Sequence, residues 1–224
     1  MMFTKQNYNK KKRVQFDKCN ICGKESALTW NHVPPKSCFN KFSSDVNPFI
    51  WGVPKVNSYD KRHQSGIRYR SICDACNNTI GSKYDLVLEE FTKIVAMMLC
   101  SAIELPEIVT IPIQINKVCR AICAHFLAAK NFYDENSHQD INLRQYVLNE
   151  TIVRIKDTQL LSWSYPYSTV FINKGVVIKS FSKTIDFPDG VVSNISSFPL
   201  AYIIQNKRDA INVGWKICLI TAPI

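Results

Sequence analysis

Two cysteine pairs with the spacing Cys-x-x-Cys constrain this chain more than any other feature of its sequence. The first pair is Cys19 and Cys22, and the second is Cys73 and Cys76. Together they supply four thiolates, which suit the tetrahedral coordination and soft ligands that zinc prefers. A redox role is less favoured because neither pair lies in a βαβ pattern. The spacing therefore predicts a structural zinc site whose closed shell leaves no position for water or substrate.

The cysteine count and the hydropathy pattern favour metal coordination over disulfide bonds. The 224 residues include nine cysteines, an odd number. No apolar stretch approaches the ~20 residues that a bilayer span requires, and the Lys/Asn-rich start contains no apolar signal segment. We therefore expect a cytoplasmic protein that does not bind membranes and whose thiols stay reduced. Ordinary burial accounts for the remaining cysteines, Cys38, Cys100, Cys119, Cys123 and Cys218.

The positive charge of the chain is concentrated in its first third. Residues 1–85 carry 15 Lys or Arg against 6 Asp or Glu, whereas residues 86–224 carry 13 against 12. The net charge of +10 indicates a polyanionic partner, and its distribution assigns that partner to the N-terminal part. Residues 1–18 are expected to form a flexible basic arm that either contacts phosphates or only aids solubility.

The residue pattern predicts an α+β fold class with a small zinc-stapled module at residues 19–85. Within this module, residues 27–32 and 67–72 are predicted strands joined by a long loop. The capping-box spacing of residues 82–85 predicts the start of a helix of about five turns. Residues 86–224 are expected to form an α+β domain that serves partner binding, dimerisation or target choice.

The second region is predicted to contain two helices followed by a mostly antiparallel sheet. These are the helix that starts at residue 82 and a second buried helix over residues 116–130, and a further, exposed helix is expected over residues 142–149. Asn173-Lys174-Gly175 has the composition of a hairpin turn. The β-branched runs that predict strands are residues 152–155, 169–173, 176–181, 201–205 and 216–221.

A further motif lies between the cysteine pairs. His32 follows Cys22 by ten residues within Asn31-His32-Val33-Pro34-Pro35-Lys36, and Asn77 directly follows Cys76. The order Cys-x-x-Cys, His-x-x-Pro, Cys-x-x-Cys-Asn resembles the four-cysteine branch of the HNH, or ββα-metal, endonucleases, including the endonuclease VII type of junction resolvase. The resemblance covers residues 19 to about 85, a little over a third of the chain.

The resemblance implies a nuclease that hydrolyses phosphodiester bonds with the help of a hard divalent ion. Carried over to this chain, His32 is the general base, and Asn31 and Asn77 are the ligands of a magnesium or manganese ion. The longer segment from His32 to Lys36 also resembles HNH proteins of bacterial defence and mobile elements, which implies a role in antiviral defence.

Two positions depart from the family pattern. Asn31 stands where the family usually has Asp, Glu or His, and an amide oxygen brings no negative charge to the ion. The last His of the HNH name has no counterpart after Asn77, and Asn78 and Asp85 are the candidate substitutes. The alternative interpretation is therefore a catalytically degenerate, zinc-bound module that binds DNA or protein.

Basic residues near the motif predict how nucleic acid would be held. The expected phosphate contacts are Lys36, Arg62, Arg68 and Arg70, and none of them implies readout of bases. DNA is the expected substrate, with RNA left open. The near-neutral charge of residues 86–224 suits a protein partner or a homodimer better than nucleic acid.

Overall fold

The computed structural model shows a mixed α+β protein. Within the residues it describes, no helix has the length and hydrophobicity needed to cross a membrane. The description covers residues 15–40, 66–104, 106, 108–168, 170, 172 and 193–206. For residues 44–46, 61–63, 171, 173–178, 190–192 and 218–219 it covers the backbone alone.

Three strands form an antiparallel sheet beside the cysteine pairs. β2 (Glu25–His32) lies in the centre, between β1 (Phe16–Lys18) and β5 (Arg68–Cys73). The two strands predicted for this region are confirmed. Phe16–Lys18 was expected within the flexible arm but belongs to the sheet, and residues 1–14 lie outside the described residues. In the connection between β2 and β5, β3 (Ser44–Val46) pairs with β4 (Lys61–His63).

A long helix begins directly after β5. It consists of α1 (Asp74–Ile80), a π-helical turn (Gly81–Asp85) and α2 (Leu86–Leu99). The predicted helix start at residue 82 is wrong, because Ser82 Oγ donates to the Asn78 carbonyl oxygen at 2.8 Å within a continuing helix. Apolar periodicity could not reveal α1, in which Ile80 alone is buried. The boundary drawn between residues 85 and 86 falls inside this helix.

Helix α3 is the most buried helix, and its prediction over residues 116–130 is confirmed. It spans Ile115–Ala128, and every residue from Val118 to Ala128 is buried. Arg120 within it uses its guanidinium to hold the chain after the fourth helix, donating to the carbonyl oxygens of Asn149 (3.0 Å), Glu150 (3.2 Å) and Ile152 (2.6 Å).

Helix α4 (His138–Leu148) exists but is not the exposed helix that its polar composition suggested. Asp140 and Arg144 are buried and paired, since Asp140 binds Lys130 and lies 3.7 Å from Arg144. Leu143 is buried on the same helix. Paired charges therefore occupy positions that a sequence pattern assigns to solvent.

The C-terminal strands form one antiparallel sheet, as predicted. Residues 152–155 are not a strand, because the Ile152 carbonyl is bound by Arg120 instead of a neighbouring strand. Residues 173–175 are not a hairpin turn either, since one strand continues through them with a bulge before Val176. The strand order is β10-β6-β9-β8-β7, with bounds Thr158–Ser164 (β6), Phe171–Ile178 (β7), Gly190–Ser197 (β8), Leu200–Asn206 (β9) and Cys218–Leu219 (β10).

One hydrophobic cluster joins the cysteine region to the C-terminal sheet. Ile21 and Leu28 belong to the same buried cluster as Leu127 of α3 and Ile204 of β9. Polar contacts strengthen the junction, because Asn20 Nδ2 donates to the carbonyl oxygens of Leu127 and Lys130, each at 2.9 Å. The two predicted regions therefore share a core that passes through α3.

Candidate metal centre and nucleic-acid interface

The four cysteines predicted as zinc ligands come together where the β1–β2 turn meets the start of α1. Their Sγ atoms all lie within 4.8 Å of one another, and those of Cys22 and Cys73 are 3.8 Å apart. Tetrahedral zinc with Zn–S bonds of about 2.3 Å places its sulfur ligands roughly 3.8 Å apart. The donor set therefore fits a metal ion such as zinc.

Local backbone geometry shapes the cysteine cluster. Gly23 adopts a left-handed φ of 73°, which turns the chain back so that its N–H donates to the Cys19 carbonyl oxygen at 2.9 Å. The Cys73 N–H donates to Cys19 Sγ at 3.3 Å. A hydrogen bond from the Cys76 thiol, together with backbone N–H groups, lowers the pKa of Cys19, whereas burial raises the pKa of Cys22.

The cysteine cluster connects the ends of the antiparallel pair β2–β5, called the hairpin below, with the start of a helix. Cys73 is the last residue of β5 and also precedes α1, so α1 follows the hairpin without a loop. Ser71 is an extra residue of β5, because Thr29 pairs with Ile72 whereas Trp30 pairs with Arg70. The buried Ser71 hydroxyl donates to the Ala128 carbonyl oxygen. The bulge therefore anchors the hairpin to α3.

The register of β2 and β5 assigns the candidate residues to two faces of the hairpin. Trp30 lies opposite Arg70, and His32 lies opposite Arg68. Alternation along the strands places these four residues on one face, where His32 is half-buried. The guanidinium carbons of Arg68 and Arg70 lie 5.0 and 4.9 Å from the centre of the Trp30 ring system. His32 thus shares a face with two of the four predicted phosphate contacts.

Asn31 lies on the other face, opposite Tyr69. It is 8% exposed, and its Nδ2 has no hydrogen-bond partner among the described residues. Burial raises the pKa of Tyr69 to about 12. Asn77, in the first turn of α1, donates from Nδ2 to Thr29 Oγ1 at 3.3 Å. Because Thr29 and Asn31 are two residues apart on β2, Asn77 approaches the face that carries Asn31.

Asn31 and Asn77 offer weaker metal ligands than the four cysteines do. Among the described residues, the four cysteines are the only group of three or more His, Cys, Asp or Glu side chains placed to hold a metal. A divalent ion at Asn31 and Asn77 would therefore be held by neutral amide oxygens and would need phosphate or water oxygens to complete its shell. The unsatisfied Nδ2 of Asn31 is a hydrogen-bond donor, so it fits an oxygen atom of such a phosphate or water and not the ion itself.

Neither candidate substitute for the last His of the motif joins this site. Asn78 Nδ2 donates to Asp74 Oδ2 at 2.9 Å on the exposed side of α1. Asp85 Oδ1 lies 2.9 Å from His125 Nε2, and His125 is 2% exposed. The sequence pattern gave no sign of this pair, because the two residues lie 40 positions apart.

The remaining basic candidates lie beyond the hairpin face. Lys36 is exposed in the turn after β2. Arg62 lies in β4, opposite Asp45 of β3, and the description there is limited to the backbone. Trp30 was not among the residues predicted from the sequence. The available signal was its position two residues before His32 on a predicted strand, since residues with this spacing lie on the same face.

Comparisons with protein-family models, with curated proteins and with solved structures found no match for this chain.

Proposed function

We propose that this chain is a metal-dependent endonuclease of the HNH type that hydrolyses phosphodiester bonds of DNA. The observation that best supports the proposal is the arrangement of β2, β5 and α1 at the four cysteines. It places His32 at the end of β2 with Arg68 directly opposite, and it brings Asn77 of α1 to the face that carries Asn31.

His32 is the proposed general base. A neutral imidazole accepts a proton from water near neutral pH, which generates the hydroxide that attacks the phosphorus. A phosphate bound by the Arg68 guanidinium would lie beside His32, since the two residues are cross-strand partners. His32 is the last residue of β2, so a phosphate at this strand end could reach both faces of the sheet. In that position, a divalent ion held by Asn31 and Asn77 on the opposite face would stabilise negative charge on the phosphate and on the leaving oxygen.

A second candidate function is a DNA-binding module without catalysis. It is favoured by the neutral side chain of Asn31 and by the lack of a carboxylate cluster at this site within the described residues. Such a module would retain the zinc site and the basic face but would bind a divalent ion too weakly for hydrolysis.

Nicking of supercoiled plasmid distinguishes the two functions. The zinc-loaded wild type and His32→Ala are each incubated with magnesium, with manganese and without either ion. The control variant is His138→Ala, which replaces an exposed histidine at the start of α4. We expect metal-dependent nicking that falls by about 100-fold or more in His32→Ala, as for loss of a general base, and is unchanged in the control. Binding without nicking by the folded wild type would support the second candidate.

A further inference from the structure

We infer that the hairpin face carrying Trp30 binds an unpaired DNA base, which directs the chain to single-stranded or locally opened DNA. This inference rests on the proposed nuclease function for its biological meaning, but it concerns a binding surface that is measured separately from cleavage. Three observations carry it: the exposure of Trp30, the position of the two arginines and their lack of acidic partners.

Trp30 is held in place and yet accessible. Its side chain is 50% exposed, although it lies in the central strand of the three-stranded sheet. Arg70, directly across the ladder, and Arg68, on the diagonal, both lie within 5.0 Å of its ring centre. Cation–π contacts of this kind restrain the indole. A restrained and exposed aromatic ring loses little entropy when a flat ligand stacks on it.

The two arginines have no carboxylate partner among the described residues. Arg120 and Arg144, by contrast, bind backbone carbonyl oxygens through several guanidinium nitrogens. In the part of the chain that the structure describes, Arg70 Nε is buried and has no hydrogen-bond partner. The guanidinium groups beside Trp30 therefore retain donors for a ligand that carries negative charge, which a nucleic-acid phosphate satisfies.

An exposed aromatic ring beside two cations selects for an unpaired nucleotide over a duplex. Stacking on indole requires a free base face, and in a duplex both faces are covered by neighbouring bases. Trp30 and His32 are two residues apart on one strand face, which corresponds to about 7 Å. A base stacked on Trp30 therefore brings an adjoining phosphate to the edge of the sheet where His32 lies.

The test is DNA binding measured without magnesium or manganese. A labelled 20-nucleotide DNA strand and its duplex are titrated with the wild type, Trp30→Ala and Trp30→Phe, and binding is read by fluorescence anisotropy. We expect Trp30→Ala to lose about tenfold or more in affinity for the single strand and less than about twofold for the duplex, as stacking energies imply. Trp30→Phe retains a stacking face and should remain within about threefold of the wild type.

Two controls make the outcome specific. Phe132→Ala removes an exposed aromatic ring outside the hairpin and should leave both affinities unchanged. Arg68→Lys preserves charge but removes the planar guanidinium, so we expect it to weaken single-strand binding more than duplex binding. Circular dichroism and zinc content verify that each variant is folded.

An unchanged single-strand affinity in Trp30→Ala, or an equal loss for strand and duplex, would reject the base-binding surface. A Trp30-dependent preference for an RNA strand of the same sequence would reject the assignment to DNA. Neither result bears on His32-dependent nicking of plasmid. Conversely, absence of nicking together with Trp30-dependent binding would reject the nuclease and leave the surface established.

Discussion

At the scale of single residues, Asn31 is the position on which the proposed chemistry depends most. Its amide is buried opposite Tyr69 and has an unsatisfied Nδ2. Leaving such a group unpaired costs about 1–3 kcal/mol. A bound ligand would satisfy the Nδ2 group, so this cost fits a residue that serves binding instead of stability.

Replacing Asn31 with Asp should strengthen the divalent-ion site. The carboxylate adds a negative charge at nearly constant volume, so we expect the magnesium concentration for half-maximal nicking to fall by about tenfold. Without the ion the same variant should unfold at lower urea concentration than the wild type, because a buried charge then lacks a partner. A magnesium titration of the nicking rate and urea unfolding with and without magnesium measure both effects.

The matched control at this position is Asn31→Ala, which removes the amide oxygen without adding charge. It should raise the magnesium requirement if Asn31 is a ligand. An identical magnesium dependence in the wild type, Asn31→Asp and Asn31→Ala would contradict a role of this side chain in metal binding.

At the scale of elements, the helix from α1 to α2 shows how the cysteine cluster controls secondary structure. Cys73 has extended φ and ψ of −74° and 162°, and helical geometry begins at the next residue. The helix then passes through Gly81, which has φ and ψ of −57° and −45°. A glycine that usually ends helices is here inside one, because the flanking segments are held by the hairpin and by α3.

Gly81→Ala is expected to stabilise the protein by about 0.5–1 kcal/mol. A Cβ atom at this position meets no atom within 4 Å, and alanine reduces the entropy of the unfolded chain. Gly23→Ala provides the contrast, since its φ is 73° and its Cβ would lie 2.8 Å from the Tyr133 hydroxyl oxygen. It should destabilise by more than about 1 kcal/mol. Urea unfolding of both variants tests the pair, and destabilisation by Gly81→Ala would show that the π-helical turn requires glycine.

The contact between α3 and the turn that carries Cys19 and Cys22 depends on Asn20. This side chain is 1% exposed and donates to the carbonyl oxygens of Leu127 and Lys130. We expect Asn20→Ala to destabilise by about 1–3 kcal/mol, because the buried Leu127 carbonyl and the partly buried Lys130 carbonyl each lose an amide donor. Asn142→Ala removes one amide hydrogen bond at the surface and should cost less than about 1 kcal/mol. Equal urea midpoints for the two variants would contradict a special role of Asn20.

At the scale of the whole molecule, the cysteine cluster and the C-terminal sheet share one buried hydrophobic cluster. Buried residues on both sides of α3 form a single cluster, and Arg144 of α4 donates from Nε to the Asn20 carbonyl oxygen at 2.9 Å. We therefore expect a change at the metal centre to affect the helices and, through them, the sheet.

Removal of zinc should lower the stability of the entire described fold. In Cys76→Ser, or after chelation, we expect one unfolding transition whose midpoint falls by roughly 10 °C or more, because zinc contributes folding free energy. Cys100→Ser is the control, since Cys100 is exposed and outside the cluster. Calorimetry with measured zinc content provides the test. A transition that remains at the wild-type temperature would show instead that the C-terminal sheet folds independently.

Short sequence spacings determined much of the fold and part of the candidate site. The four cysteines, the strand ending at His32 and the apolar face of α3 were predicted because each depends on residues only a few positions apart. The HNH assignment and the roles of His32, Asn31 and Asn77 stay predictions that rest on the motif order.

Tertiary structure alone decided which of these local features meet. Trp30 lies within about 5 Å of both Arg68 and Arg70 because a bulge at Ser71 sets the register of β2 and β5. Asp85 pairs with His125 because a π-helical turn and α3 come together. Each contact joins residues about 40 positions apart, and its geometry depends on the packing of whole elements. Residue type and periodicity describe only neighbours in the chain, so they contain no information on such distances.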